Sequence, residues 1–384
     1  MSTRDAVIVG AVRTPVGIGK PGKGHLDDIH PVDLSAHVIR ALVQRTGVDP
    51  GLIEDVVWGC VTQVGEQAFN VARNSALAAG LPESVVGTTV DRQCGSSMQS
   101  VQFAAASVVA GHYDLAIAGG VEVMSRVPMF SNVGKADPFG SMNDRYDRSL
   151  VPQGISAELI AEKWGLSRAY VDELAVASHE RATAAQDAGL FAEEITLVAT
   201  PDGLVEQDQG IRSGTSVERL AQLTPAFKAG GVVTAGNASQ ISDGAAALLV
   251  TTSENAAALG LTVQARLHSF ATAGVDPIMM LTGPIPATAK ILARSGLSLS
   301  DIGVFEVNEA FASVLGAWYV ETGARPELTN PVGGAIALGH PLGASGARIS
   351  TTMIHHMRRE GIRFGLQTMC EGGGMANATV FELP

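Results

Sequence analysis

The sequence predicts an α/β protein of two similar halves with a helical segment inserted between them. Three observations predict it. Short apolar runs alternate with helix-period segments near both ends of the 384-residue chain. Between residues 121 and 235 that rhythm breaks, and charged residues, Asn, Gly and Pro accumulate. One stretch is also echoed: RTGVDPGLIEDVVWG from Arg45 and RSGLSLSDIGVFEVN from Arg294 each read as a helix end at glycine, a polar turn and a short strand.

In order, AVIVGAV from Ala6 reads as a strand, Leu34 to Arg45 as a helix and DVVWGCV from Asp55 as a strand. A helix from Val71 to Ala79, the strand VVGTTV from Val85, a helix from Ser96 to Ala110 and the strand DLAIAGG from Asp114 follow. The insert carries two amphipathic helices, Ser156 to Trp164 and Arg168 to Ala188. AAALLVTT from Ala245 returns to strand character, and VQARLHSFATAG from Val263 opens the second half. The expected division is an N-terminal half of residues 1–120 and 236–262, an insert of 121–235, and a C-terminal half of 263–384.

With 46% hydrophobic and 17% charged residues and only three cysteines, the chain is neither disordered nor a disulfide scaffold. A net charge of -12 excludes a generally basic nucleic-acid surface, so an anionic ligand needs a local pocket. No run of about 18 apolar residues is available to span a bilayer. The N-terminus lacks a secretory pattern and FELP is no targeting signal, so a cytoplasmic protein is expected. Cys60, Cys94 and Cys370 are too widely spaced for paired zinc ligands; reduced thiols and no metal are expected.

Four segments could carry chemistry. In VDRQCGSSMQS, Cys94 stands at the start of a helix, where the N-terminal dipole can lower a thiol pKa from about 8.5 and prepare a nucleophile. A small buried core cysteine is the competing reading. In NPVGGAIALGHPLGASGARIS, five glycines from Gly333 to Gly346 surround His340. Such glycine density admits close backbone approach, and an imidazolium there would stabilise a thiolate; a hydrogen-bonded loop histidine is the alternative. In FEVNEAFASVLGAW, Asn308 and Glu309 sit at a strand's carboxyl end, placed either to line a site or to cap the next helix. In LQTMCEGGGMANATVFE, Cys370 precedes three glycines whose backbone N–H groups could bind an oxyanion. GIGKPGKG from Gly17 lacks the P-loop continuation and reads as a mobile loop, and His355 and His356 read as a solvated helix face.

Taken together, the Cys94 segment, GISAELIAEKWGLSR from Gly154, SHERA from Ser178, VTAGNASQISDGAA from Val233, NEAF from Asn308, GGAIALGHPLGASGAR from Gly333 and CEGGG from Cys370 resemble the thiolase family over essentially the whole chain. The resemblance implies a five-layered αβαβα sandwich of two duplicated halves, with the inserted loop domain covering coenzyme A. It implies that Cys94 is acylated, that His340 activates it, and that Cys370 is the acid/base. It also implies one oxyanion hole from His340 and a water on Asn308, and another from the N–H groups of Cys94 and Gly372. Matching the family's pattern places Ser239 and Ala235 along the pantetheine, with Phe227 and Arg212 towards the adenine and phosphates. CoA is then a co-substrate, no prosthetic group is implied, and a homodimer or homotetramer is expected.

Pro152 and Gln153 stand where short-chain acetoacetyl-CoA thiolases commonly carry His-Met, so Gln153 is assigned to the substrate pocket. This departure, with MLTGPIPAT and LQTMCEGGGMANAT, resembles degradative thiolases for bulky or steroid-derived acyl-CoA. The expected reaction is thiolysis of 3-oxoacyl-CoA. A biosynthetic acetoacetyl-CoA thiolase and a non-catalytic lipid-CoA binding protein are the alternatives.

Overall fold

In the computed structural model, which describes residues 4–147 and 149–384, the two halves share one hydrogen-bonded sheet. The first half runs β1 (Val7–Arg13), β2 (Gly17–Ile18), α1 (Pro31–Thr46), β3 (Asp55–Gly59), α2 (Val71–Ala78), β4 (Val86–Val90), α3 (Ser96–Ala110) and β5 (Leu115–Val123). The segment between the halves adds α4 (Met142–Arg145), α5 (Gln153–Lys163), α6 (Arg168–Asp187), the ribbon β6 (Val198–Thr200) and β7 (Gly203–Val205), and α7 (Val217–Leu220). Next come β8 (Ser242–Thr251), α8 (Ser253–Ala258), β9 (Ala265–Gly274), α9 (Pro284–Ser295), β10 (Val304–Val307) and α10 (Ala312–Thr322). The chain ends with α11 (Ala335–Leu338), α12 (Ser345–Glu360), β11 (Phe364–Glu371) and β12 (Met375–Glu382).

The strand order is β10-β11-β12-β9-β1-β8-β5-β3-β4, with β2 on β8. The halves join through a short antiparallel pairing, Val7 with Arg266 and Ile8 with Ala265. Helices α3 and α12 pack on each other and on strands of both halves, so they form the middle layer. Helices α1 and α2 cover the far face of the first half, and α9 covers that of the second with α10 against it. These are the five layers. The strands read as continuous apolar runs because both faces are covered: β1, β5 and β8 are buried along their entire length.

The echoed sequence forms the same local structure twice. Gly47 and Gly296 end α1 and α9 in the left-handed region, at φ 68 and 73. A single 3-10 turn follows each, Pro50–Leu52 and Leu299–Asp301, and then β3 and β10.

Some boundaries differ from the sequence expectation. Helix α1 begins at Pro31 because His30 caps it, its Nδ1 accepting from Val32 N at 3.2 Å. Strand β5 continues past residue 120 to Val123, where its last residues pair with Asp243 to Ala245. GIGKPGKG opens as strand β2, tied to Ser242 and Asp243. The His355 and His356 face is half-buried rather than solvated, and His355 Nε2 lies 3.2 Å from the Ala11 carbonyl. Among the described residues no helix is long and apolar enough to cross a membrane.

One buried ion cluster ties β1 to the connecting segment. Arg13, with no exposed surface, donates to Glu194 at 2.6 Å and to both Asp208 oxygens at 2.7 and 2.9 Å. Thr352 on α12 donates to the same Glu194. Asp208→Ala leaves the guanidinium half-paired in a dry interior and should cost about 3–5 kcal/mol in guanidinium unfolding. A loss below about 1 kcal/mol would show that the cluster is not needed for the fold.

Candidate active site

Cys94 lies in a tight turn between β4 and α3. Asp91 Oδ1 accepts from Gln93 N at 2.7 Å, Ser96 Oγ accepts from Arg92 N at 2.9 Å and donates to the Gln93 carbonyl at 2.6 Å. Gln93 is driven to φ 49. The Cys94 side chain is buried with Val61, Met98, Met124, Leu342, Ile349 and Met369. Its own N–H and that of Gly372 both act on the sulfur in the direction that favours the anion. They do not win: burial first, and the Glu371 carboxyl next, push the thiol up to about 12. The lowered pKa expected at a helix start is therefore absent, because desolvation outweighs the two dipoles.

His340 is carried by a loop clamped from below. The Glu309 carboxylate accepts from Ser178 Oγ at 2.6 Å, Asn330 Nδ2 at 2.9 Å and Ile336 N at 3.2 Å, while Ser178 Oγ also accepts from Gly334 N at 3.0 Å. A side chain at Gly334 would collide with that carboxylate, so only glycine fits. The His340 N–H donates to Gln240 O and Ser242 Oγ at 3.1 and 3.0 Å.

The ring's tautomer follows from Ser345. Ser345 Oγ donates to the Pro341 carbonyl at 2.8 Å, so it accepts from His340 Nδ1 at 2.6 Å. Nε2 then presents its lone pair, 3.4 Å from Asn308 Nδ2. Burial, and then the Arg348 charge, hold His340 down to about 3. The ring is a neutral base, not the imidazolium that the sequence suggested.

Asn308 follows β10, and its N–H donates to the Thr368 carbonyl of β11 at 3.1 Å. It does not cap a helix, since α10 starts at Ala312. Parallel pairing of β10 with β11, Val307 opposite Thr368, brings Asn308 to the same sheet end as Cys370. Cys370 is buried beside Met280, Leu281, Ala310 and Phe311, and its pKa is raised by burial and then by Cys94, which puts the two sulfurs within electrostatic reach of each other.

Comparison with known proteins identifies the family. Residues 6–254 match the thiolase N-terminal domain and residues 261–383 the thiolase C-terminal domain. The chain belongs to the thiolase family. It is similar to the steroid 3-ketoacyl-CoA thiolase FadA6 of Mycobacterium tuberculosis, 48% identical over 98% of this chain and 94% of that one. The 3-ketoacyl-CoA thiolase of Bacillus subtilis is 44% identical over 99% of this chain and 100% of its own. Among solved structures, the Bacillus anthracis acetyl-CoA acetyltransferase superposes with a TM-score of 0.90 at 37% identity, covering 99% of each chain.

Around this thiolase's buried centre, the residues assigned to CoA lie on the connecting segment. Phe227 is 44% exposed, stands over Gly154, and meets Phe311 edge-on at 6.0 Å. Ser239 is half-buried and its N–H donates to the Ala310 carbonyl at 2.9 Å; Ala235 is exposed. The structure thus ties Phe227 and Ser239 directly to the NEAF segment. Arg212 is joined only indirectly: its N–H donates to His179 Nδ1 at 3.2 Å. Gln153, at the start of α5, reaches the CEGGG loop: a Cβ on Gly372 would meet Gln153 Nε2 at 3.0 Å and Gln93 Oε1 at 3.1 Å.

Sequence reasoning missed Ser345, Glu122 and the Gln93 side chain, gave Ser178 no role, and read Glu309 as a strand-end residue placed to line a site, whereas its carboxylate holds Ser178, Asn330 and Ile336. Ser345, five residues after His340 within the glycine loop, was the signal available for the ring's partner. Glu122, which accepts from the N–H groups of Val61, Thr62 and Gly343, pairs across 221 residues of sequence and left no local trace.

A neutral, desolvated Cys94 thiol has a measurable signature. Iodoacetamide should alkylate Cys94 slowly at pH 7, with a rate still climbing above pH 9. A plateau near pH 7 would show a pre-formed thiolate and contradict the neutral resting state.

Proposed function

We propose that this thiolase cleaves 3-oxoacyl-CoA with CoA, releasing acetyl-CoA or propionyl-CoA and a shortened acyl-CoA, in fatty-acid or steroid degradation. The observation that carries the reading is the convergence on Cys94 of two backbone N–H groups and a second thiol, with Leu342 of the His340 loop packed in the same cluster as Cys94 and Asn308 3.4 Å from His340. Cleavage between the second and third carbons needs a nucleophile at the ketone, an acid for the departing enolate and donors for the oxyanion. His340 Nε2, unprotonated in the resting ring, takes the Cys94 proton as sulfur attacks the ketone. The N–H groups of Cys94 and Gly372 stabilise the resulting oxyanion, and Cys370 gives its proton to the enolate. Cys370 then takes the proton of the incoming CoA thiol, whose sulfur attacks the S-acyl-Cys94. His340 returns the first proton to Cys94.

Asn308 Oδ1, buried without a partner, supports an ordered water there, and Asn308 with His340 forms the second donor pair. Phe227, Ala235, Ser239 and Arg212 serve as the CoA side, with CoA as co-substrate and no prosthetic group. Degradation of bulky acyl groups is favoured over acetoacetyl-CoA synthesis by Gln153 and by the higher identity to the steroid thiolase than to the acetyltransferase structure. A silent CoA-binding role is disfavoured because all four reacting positions are present.

Incubation with 3-oxoacyl-CoA of several chain lengths, ring-bearing ones included, should leave an acyl mass on Cys94. Cys94→Ser should show none, and Cys370→Ala should slow turnover by about 10²–10⁴-fold. No adduct with any substrate would remove the mechanism.

We further propose a homodimer or homotetramer, starting at the β4 edge. On this edge strand, which pairs only with β3, Val86 is 57% exposed, nearby Phe69 is 93% exposed, and Asn70 Nδ2 donates to the Gly87 carbonyl, holding Phe69 at the edge. Light scattering should give a multiple of the chain mass, and Val86→Lys should lower it. A monomeric parent at micromolar concentration would refute the surface.

A further inference from the structure

One buried acid is left unused by this chemistry. Glu371, the last residue of β11, has no exposed surface, and neither carboxyl oxygen has a hydrogen-bond partner. Two other buried carboxylates in this thiolase are held differently: Glu122 accepts from three backbone N–H groups, and Glu309 from Ser178, Asn330 and Ile336. An ionised carboxylate without donors in such a setting is strongly disfavoured, so Glu371 rests as the neutral acid.

Its place is specific. The Glu371 carboxyl lies against Gly95, so closely that any side chain there would collide with it, and Gly95 is the residue after the nucleophile. Asn377 of β12 closes the same space by donating to the Gly95 carbonyl at 3.0 Å. Cys370 precedes Glu371 on its own strand. The charged and titratable groups that act on it or on its thiol neighbours are Arg92 and Asp91 from the turn before α3, the two thiols, and Glu122, which acts on Cys94.

We propose that the Glu371 carboxyl is a pH-dependent brake on the thiol pair and not part of the reacting machinery: as a neutral acid it permits the negative charge that Cys94 and then Cys370 must carry, and its ionisation shuts the reaction down. This rests on the reading of Cys94 as nucleophile and Cys370 as proton carrier. The physical basis is like-charge repulsion in a dry site, which disfavours a thiolate next to a carboxylate. Burial raises Glu371 to about 8, with Arg92 opposing and Asp91 adding to the shift, so the change of state falls just above neutral pH. No proton is transferred to or from Glu371 in any step.

The test compares the parent with Glu371→Gln, which keeps shape and neutrality at every pH, and with Glu371→Met as a second neutral variant. The parent's kcat/KM for thiolysis should fall tenfold per pH unit beyond a midpoint near 8. Both variants should retain rates within about threefold of the parent at pH 7 and lose that limb. An unchanged limb in a folded variant overturns the proposal. Loss of activity at all pH values in Glu371→Gln also overturns it, since the carboxyl would then be needed as a proton carrier.

A second readout needs no substrate and separates this inference from the functional one. Iodoacetamide should alkylate Cys94 at pH 9 at least threefold faster in either variant than in the parent. Equal rates in a folded variant sink the role of Glu371 whether or not an acyl adduct forms. Failure of the adduct with normal alkylation differences would instead sink only the thiolysis reading.

Discussion

The two halves approach so closely that backbone meets backbone, and the site depends on that contact. A Cβ on Gly346 of α12 would strike the backbone of Met98 on α3, and one on Gly120 of β5 would strike the carbonyl of Gly343. Glycine at these points lets α12 and the loop before it settle directly onto α3 and the ends of β3 and β5. Glu122 then grips the Gly343 N–H with the same carboxylate that holds Val61 and Thr62. A loop from the C-terminal half is thereby fixed against the N-terminal half, and its Leu342 packs in the same cluster as Cys94.

Close contact also excludes water, which decides the electrostatics. Desolvation holds Cys94 and Cys370 as thiols and His340 as a neutral ring, each shift having burial as its largest cause. Such a centre stores no ion pair. Charge arises when substrate arrives, and it meets N–H dipoles already aimed at the reacting sulfur. Arg348 strengthens the effect by disfavouring a second positive charge at His340.

The connecting segment contributes supports as well as a cover. Ser178 on α6 holds both Glu309 and Gly334, so a helix outside the two halves sets the height of the His340 loop. Glu158 on α5 accepts from the N–H groups of Val232 and Val233 at 2.9 Å, anchoring the strand of chain that leads to Ser239 and Gln240. Gln240 in turn bonds Gly210, Ile336 and Ala337. Ser239, Gln240 and the His340 loop therefore belong to one hydrogen-bonded framework.

The alternation of apolar runs and helices, the echo of Arg45–Gly59 in Arg294–Asn308, and the four motifs were all readable in the chain, because each is a local pattern of a few residues. Cys94, Asn308, His340 and Cys370 could be picked out for the same reason: thiol, amide and imidazole stand next to glycines or strand ends. What sequence could not supply was their state. A helix start near Cys94 argued for a lowered thiol pKa, and only packing showed that burial reverses it. Equally, Glu122, Ser345 and Glu371 are ordinary polar residues until strands and loops far apart in the chain surround them. Residue types and local conformation were determined by sequence, whereas protonation states and partners were decided by tertiary structure, since desolvation and Coulomb forces depend on distances that only the packed fold sets.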